Sequence, residues 1–227
     1  MDIQLHSYEN GQGFPLILLH GNGESNAYFK NQIAAFGEHF RTIALDTRGH
    51  GDSPRGAAPF TLEQFAEDLH SFMEEKDIRR AHILGFSDGA NIALLFALRY
   101  PQMVEKLILN GGNLDPRGLK PLVQIPIVLG YGIASLLARL DKKAVAKREL
   151  LALMVKQPHI SPAALSALTM PVLVVAGTKD MIKTAHTRLI ATAIPDVLLC
   201  LLKGDHFIAA KNSAIFNAVV LDFLMQE

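Results

Sequence analysis

The sequence predicts an α/β protein built on a mainly parallel sheet. Three observations carry that prediction: short apolar runs without alternation, a Gly- or Asp-containing turn closing each run, and stretches of helical period between them. Uninterrupted apolar strands are what a sheet covered on both faces requires, because neither face meets water.

Along the chain, Leu16-Ile17-Leu18-Leu19 reads as a strand entering His20-Gly21-Asn22-Gly23, and Thr42-Ile43-Ala44-Leu45 as the next, ending at Asp46. His82-Ile83-Leu84 ends at Gly85, Leu107-Ile108-Leu109 at Asn110-Gly111-Gly112, and Val172-Leu173-Val174-Val175 at Gly177. The last run, Val197 to Leu202, ends at Gly204-Asp205-His206. Helices between them have recognisable ends. Thr61 stands as N-cap to the Leu62, Phe65, Leu69, Phe72 face, with Gln64 at the capping-box position. Ser87 to Tyr100 stops before Pro101, and Phe216 to Leu224 closes the chain. Residues 114–168 break the rhythm, with helix-like pieces only and Ser161-Pro162 as an N-cap and first helical residue. This segment is expected to form a short helical lid; a crossover helix with long connections is the plainer alternative. The core then comprises 1–113 and 169–227, with 114–168 inserted.

At 227 residues, 49% apolar and 19% charged, the chain fits one domain with a sizeable core. Lys plus Arg equal Asp plus Glu at 22 each, so no global field gathers nucleic acid or acidic membrane. The cluster Lys142, Lys143, Lys147 and Arg148 reads as a solvated helix face. Cys200 is the only cysteine, which excludes an intrachain disulfide, and its apolar run suggests a buried, inert thiol. The start lacks the basic-then-apolar pattern of a signal peptide. The greasiest stretch, Ile125 to Ala138, is interrupted by Pro126, Gly130 and Gly132 and is shorter than the ~20 residues of a membrane span. A cytoplasmic protein without a membrane span is expected. No H-E-x-x-H, G-x-G-x-x-G or P-loop pattern occurs, so neither metal nor cofactor is expected.

The motif with chemical content is Gly85-Phe86-Ser87-Asp88-Gly89, which matches G-x-S-x-G between a buried strand and a strong helix. A sharp strand-to-helix turn there pushes the serine hydroxyl out at the top of the sheet, and glycines leave room for it. Serine needs a base to accept its proton. Of nine histidines, His206 alone follows the last strand, at the strand ends where Ser87 emerges. Asp180, at the end of Gly177-Thr178-Lys179-Asp180, completes the order Ser, Asp, His; Asp115 is the rival acid, and an N-cap is Asp180's plainer role. The glycine turn His20-Gly21-Asn22-Gly23 offers backbone N–H groups to an oxyanion, with Asn22 and Asp88 as the donors.

These residues resemble the α/β-hydrolase fold family, in its esterase, lactonase and C–C hydrolase branch. The resemblance spans nearly the whole chain and includes Asp46-Thr47-Arg48-Gly49-His50-Gly51-Asp52-Ser53, similar to the family's D-x-R-G-x-G-x-S loop. It implies the α/β-hydrolase fold and a serine hydrolase cleaving a small ester, thioester or lactone acyl substrate through an acyl-enzyme on Ser87. C–C bond hydrolysis and acyl transfer are alternatives on the same triad. A slow-turnover ligand-sensing module is the alternative outside catalysis. The chain is short for the family, and Asp88 replaces the small or apolar residue many members have. Either its carboxylate turns away and bonds the neighbouring turn, or it contacts the substrate by receiving an ammonium group.

Overall fold

The computed structural model describes residues 2–226, apart from the side chain of Lys143. Its strands are β1 (Ser7–Asn10), β2 (Pro15–Leu19), β3 (Arg41–Leu45), β4 (Ala81–Phe86), β5 (Val104–Asn110), β6 (Val172–Gly177) and β7 (Val197–Leu202). The helices are α1 (Lys30–Phe36), α2 (Leu62–Glu75), α3 (Asp88–Arg99), α4 (Pro121–Leu137), α5 (Lys143–Lys156), α6 (Thr184–Ala193), α7 (Ile208–Lys211) and α8 (Ser213–Met225). The strands form one sheet in the order β1-β3-β2-β4-β5-β6-β7. All neighbours are parallel except β1, which pairs antiparallel with β3.

Side-chain alternation divides the core into two layers. Ile17, Leu19, Ile83, Leu107, Leu109 and Val174 pack under α2, α3 and α6, against Phe65, Leu69, Ile92, Phe96 and Ile190. Leu16, Leu18, Leu84, Phe86, Ile108 and Val175 pack on the opposite face, against Phe36 of α1 and Phe216, Val220 and Phe223 of α8. Both faces are covered, which is why the strands carry no polar alternation.

Local expectations are met unevenly. Thr61 caps α2, its hydroxyl accepting the Gln64 N–H at 3.1 Å. The Gln64 side chain does not close the box; it donates to Asp68, while the Leu62 N–H is taken by Gln157 Oε1. Cys200 is half-buried rather than buried, because β7 is an outermost strand with one paired neighbour. Burial still pushes its thiol up.

The insertion between β5 and β6 is a helical hairpin, α4 and α5, followed by a 3-10 turn at Pro162–Ala167. The Ile160 N–H donates to the Leu114 carbonyl at 2.9 Å and closes its neck. Pro126, Gly130 and Gly132, which interrupt the apolar run in the sequence, lie within one continuous helix α4. The carbonyl that Pro126 leaves without its i+4 N–H partner belongs to Leu122, in the first turn of an exposed stretch of the helix. Among the described residues no helix is long and apolar enough to cross a membrane.

Candidate active site

Ser87 is the one residue between β4 and α3, and its φ of 54° with ψ of −119° places it in the left-handed half of the backbone map. Such a conformation is costly for a residue with a Cβ and persists only where its surroundings enforce it. They do so by contact. A Cβ on Gly85 would lie 2.2 Å from the Gly89 carbonyl oxygen, and one on Gly89 would lie 2.0 Å from the Leu19 carbonyl oxygen. The α3 helix therefore starts directly against the ends of β2 and β4, with Ser87 at the apex.

His206, four residues past β7, is buried and reaches that apex. Its Nε2 lies 3.0 Å from Ser87 Oγ, and its Nδ1 lies 2.7 Å from Asp180 Oδ1. A carboxylate only accepts, so Nδ1 carries the proton and Nε2 is left to accept from the serine hydroxyl. Asp180 Oδ1 also accepts the Ile182 N–H at 2.9 Å in a local turn; no helix begins at Met181, since α6 starts at Thr184 with Lys183 as its N-cap, so Asp180 is not the helix cap its plainer role required. Gly111 makes room for the ring: a Cβ there would approach His206 Cε1 to 2.8 Å, at a φ of +65°. Asp115 lies elsewhere, bonded to Arg117 and His159.

The glycine turn after β2 is held from three sides. Buried His20 bonds the Gly21 carbonyl through Nδ1 at 2.7 Å, while its Nε2 accepts the Thr47 N–H at 3.1 Å. One neutral imidazole thus clamps the turn to the 46–53 loop, and burial, with His50 beside it, lowers its pKa to about 4. Glu24 Oε2 accepts the Gly21 N–H at 3.3 Å. The Asn22 amide donates at 2.9 Å both to Asp88 Oδ2 and to the Leu150 carbonyl of α5. Among the described residues no acceptor meets the backbone N–H of Asn22 or of Asp88.

The Asp88 carboxylate is therefore bonded to the neighbouring turn, and Asn91 approaches its other oxygen at 3.4 Å. Asn91 in turn holds Asn113, accepting its N–H at 2.8 Å, so a buried polar chain runs from the glycine turn to the end of β5. Burial pushes the Asp88 carboxyl up, with the Asn22 amide offsetting only part of it.

The 46–53 loop serves as scaffold. Arg48 is fully buried and grips Asp68 through two bonds of 2.7 Å, with Asp2 on its remaining edge. Asp46 accepts the N–H groups of Asn26 at 2.6 Å and Asp52 at 3.0 Å, and Gly51 is required because a Cβ would meet that carboxylate at 2.3 Å. One group among the described residues, His6, Asp46 and Asp52, brings possible metal-ligand atoms within 4.8 Å. Both Asp46 oxygens are already engaged there by N–H donors.

A cleft of 170 Å³ opens over Ser87 and His206, lined by Asn22, Glu24, Met154, Met181 and Phe207 among others. Met154 comes from α5, so the insertion forms part of its wall. Sequence reasoning missed Glu24, Met154 and Met181. Glu24 sits four residues beyond His20, a position its proximity to the glycine turn could have flagged; burial raises its pKa. The methionines carry no local signal.

The family model for the alpha/beta hydrolase fold matches residues 15–144. RutD of Agrobacterium fabrum, whose name proposes a carbamate hydrolase, is 29% identical over 99% of this chain and 98% of its own. A 2-hydroxy-6-oxononadienedioate/2-hydroxy-6-oxononatrienedioate hydrolase of Cupriavidus pinatubonensis is likewise 29% identical, over 98% of this chain and 91% of its own. The crystal structure of a hydrolase from Pseudomonas aeruginosa superimposes with a TM-score of 0.77 at 26% identity, covering 99% of this chain and 95% of that one. By sequence and by architecture, the chain belongs to the α/β-hydrolase fold family.

Proposed function

We propose that the protein is a serine hydrolase that cleaves a small ester, thioester or lactone through an acyl-enzyme on Ser87. The observation that carries this reading is the unbroken relay from Asp180 through His206 to Ser87, at 2.7 and 3.0 Å. As the Ser87 oxygen attacks the carbonyl, His206 Nε2 takes its proton and the imidazolium that forms is stabilised by Asp180. The N–H groups of Asn22 and Asp88 receive the oxyanion. His206 then protonates the leaving group, and water attacks the acyl-enzyme by the same route. Asp88 is a positioning residue in this scheme: it holds the Asn22 turn rather than a substrate ammonium. The cleft of 170 Å³ with methionine and phenylalanine walls favours a small apolar acyl group. Residues 114–168 act as its lid, through Met154 and the bond from Asn22 to Leu150.

The named relatives support two further substrates for the same machinery, a carbamate and a C–C bond next to a carbonyl. The test comes in two stages. Fluorophosphonate treatment followed by peptide mapping is expected to label Ser87, with no label in Ser87→Ala and weakened labelling in His206→Ala; label retained in Ser87→Ala overturns the reading. Turnover of a short-chain ester, a lactone, a carbamate and a vinylogous diketone then identifies the bond. Product that stops at one equivalent per protein on every substrate identifies a sensor instead.

A further inference from the structure

The whole-chain charge balance hides a division. Between residues 114 and 168 stand eight Lys or Arg and three Asp or Glu, a net +5, leaving −5 on the rest of the molecule. The same segment holds the most exposed apolar element among the described residues. Along α4, Leu122, Ile125, Leu129, Ile133 and Leu136 follow one another at steps of three and four, so they share one face. Each is between 58% and 89% exposed, whereas Ala134 alone is buried in that helix. The face is about 21 Å long, at 1.5 Å per residue. Its opposite side is spoken for: Leu151 of α5 packs at Gly130, and Lys156 of α5 lies 5.1 Å from the centre of the Tyr131 ring.

We infer that the α4–α5 hairpin is a docking element for an anionic lipid surface. The chemistry fits on two counts. An aliphatic row standing out from a convex helix, flanked by exposed Arg139, Lys142 and Lys147, is the pattern of a helix lying in the headgroup layer. The row is built of Leu and Ile alone, without the Trp and Tyr hot spots that protein interfaces concentrate. A second copy of the chain is a poor occupant. Self-pairing through this face brings two +5 segments together, and their repulsion opposes the apolar gain. An anionic lipid layer meets the same charge favourably. Docked in this way, α4 lies on the lipid and α5 stands between it and the cleft. The inference is independent of the chemistry proposed for Ser87, since it concerns adsorption alone.

The test is co-sedimentation of the full chain with phosphatidylcholine vesicles and with vesicles of phosphatidylcholine and phosphatidylglycerol. Binding is expected to both, weaker to phosphatidylcholine alone, and the binding to anionic vesicles is expected to weaken about tenfold or more when the salt concentration rises from low to high. The double variant Leu129→Glu, Ile133→Glu is expected to lose binding to both vesicle types. Arg139→Glu with Lys147→Glu is expected to lose only the preference for anionic lipid. Melting curves matching the unaltered chain keep these losses from being read as unfolding; should the double variant melt early, Leu129→Ser alone serves the same comparison. No vesicle binding overturns the inference. So does a dimer in light scattering that Ile133→Glu dissociates while vesicles remain unbound, which assigns the face to a second copy.

Discussion

The strand ends and the inserted hairpin use apolar residues and backbone in opposite ways. Around Ser87 the catalytic side chains are tied to one another and to the backbone, and room for side-chain rearrangement is removed by direct backbone approach, as at Gly85 and Gly89. Along α4 the apolar side chains face outward and one residue of seventeen is buried. The two regions meet through α5, by Asn22 with Leu150, Arg55 with Glu149, the buried Leu153 and Met154 at the cleft. Chemistry that depends on tenths of an ångström is placed where packing admits one arrangement, while the surface that meets variable material is left loosely attached.

That contrast is most sharply tested at the relay. Ser87→Ala is expected to lower hydrolysis by about 10⁴-fold or more with little change in melting temperature, because the side chain supports reaction rather than packing. Activity assay and calorimetry together decide this. A large loss of stability would mean that the elbow is held by the hydroxyl rather than by the glycines.

Next in size is the scaffold beneath the glycine turn. Asp68→Ala leaves the buried Arg48 without its two-bond partner and is expected to cost about 3–5 kcal/mol, read from urea unfolding. Acid should act through two buried histidines, His20 at the glycine turn and His82 at the other end of the sheet beside Phe14 and Phe40. His20 and His82 titrate at about 4 in the folded protein against 6.5 unfolded, so the unfolded chain binds more protons between those values. Stability is therefore complete above pH 6.5 and falls as the pH drops towards 4, by about 3 kcal/mol for each histidine. Melting temperatures across that range, with His82→Phe as a variant expected to flatten the slope, check the sign.

Smaller effects separate positioning from chemistry. Asp88→Ala frees the Asn22 amide from one of its two acceptors and is expected to lower kcat by about tenfold, in line with the loss of one buried hydrogen bond. Asp88→Asn, which still presents an oxygen to that amide, should recover most of it. If the carboxylate instead receives an ammonium group, Asp88→Asn will raise KM for aminoacyl esters and spare their N-acylated counterparts. At the far end of the scale, Leu129→Ser is expected to change stability by no more than about 0.5 kcal/mol, the ordinary range for a surface position.

Much of the frame was legible because a doubly covered parallel sheet writes itself as apolar runs ending in turns. The six parallel strands, the elbow and the positions of Asp180 and His206 at strand ends all follow from that pattern. The edge strand β1 was not, since Ser7 to Asn10 has one polar face and no apolar run. Nor was the continuity of α4, which runs through Pro126 although a proline inside a helix removes one backbone hydrogen bond. The partners of Asp88 lie at Asn22 and Asn91, and their meeting depends on how closely α3 approaches β2. Composition is likewise silent on where opposite charges gather, and a net of zero concealed a segment at +5.

The closed neck between Leu114 and Ile160 has a consequence for how such a molecule diversifies. Because the chain leaves and re-enters at neighbouring points, the forty-odd intervening residues form a cassette that can be lengthened, shortened or exchanged without shifting any strand register. New substrate ranges can then be acquired by grafting there, with the machinery beneath inherited intact.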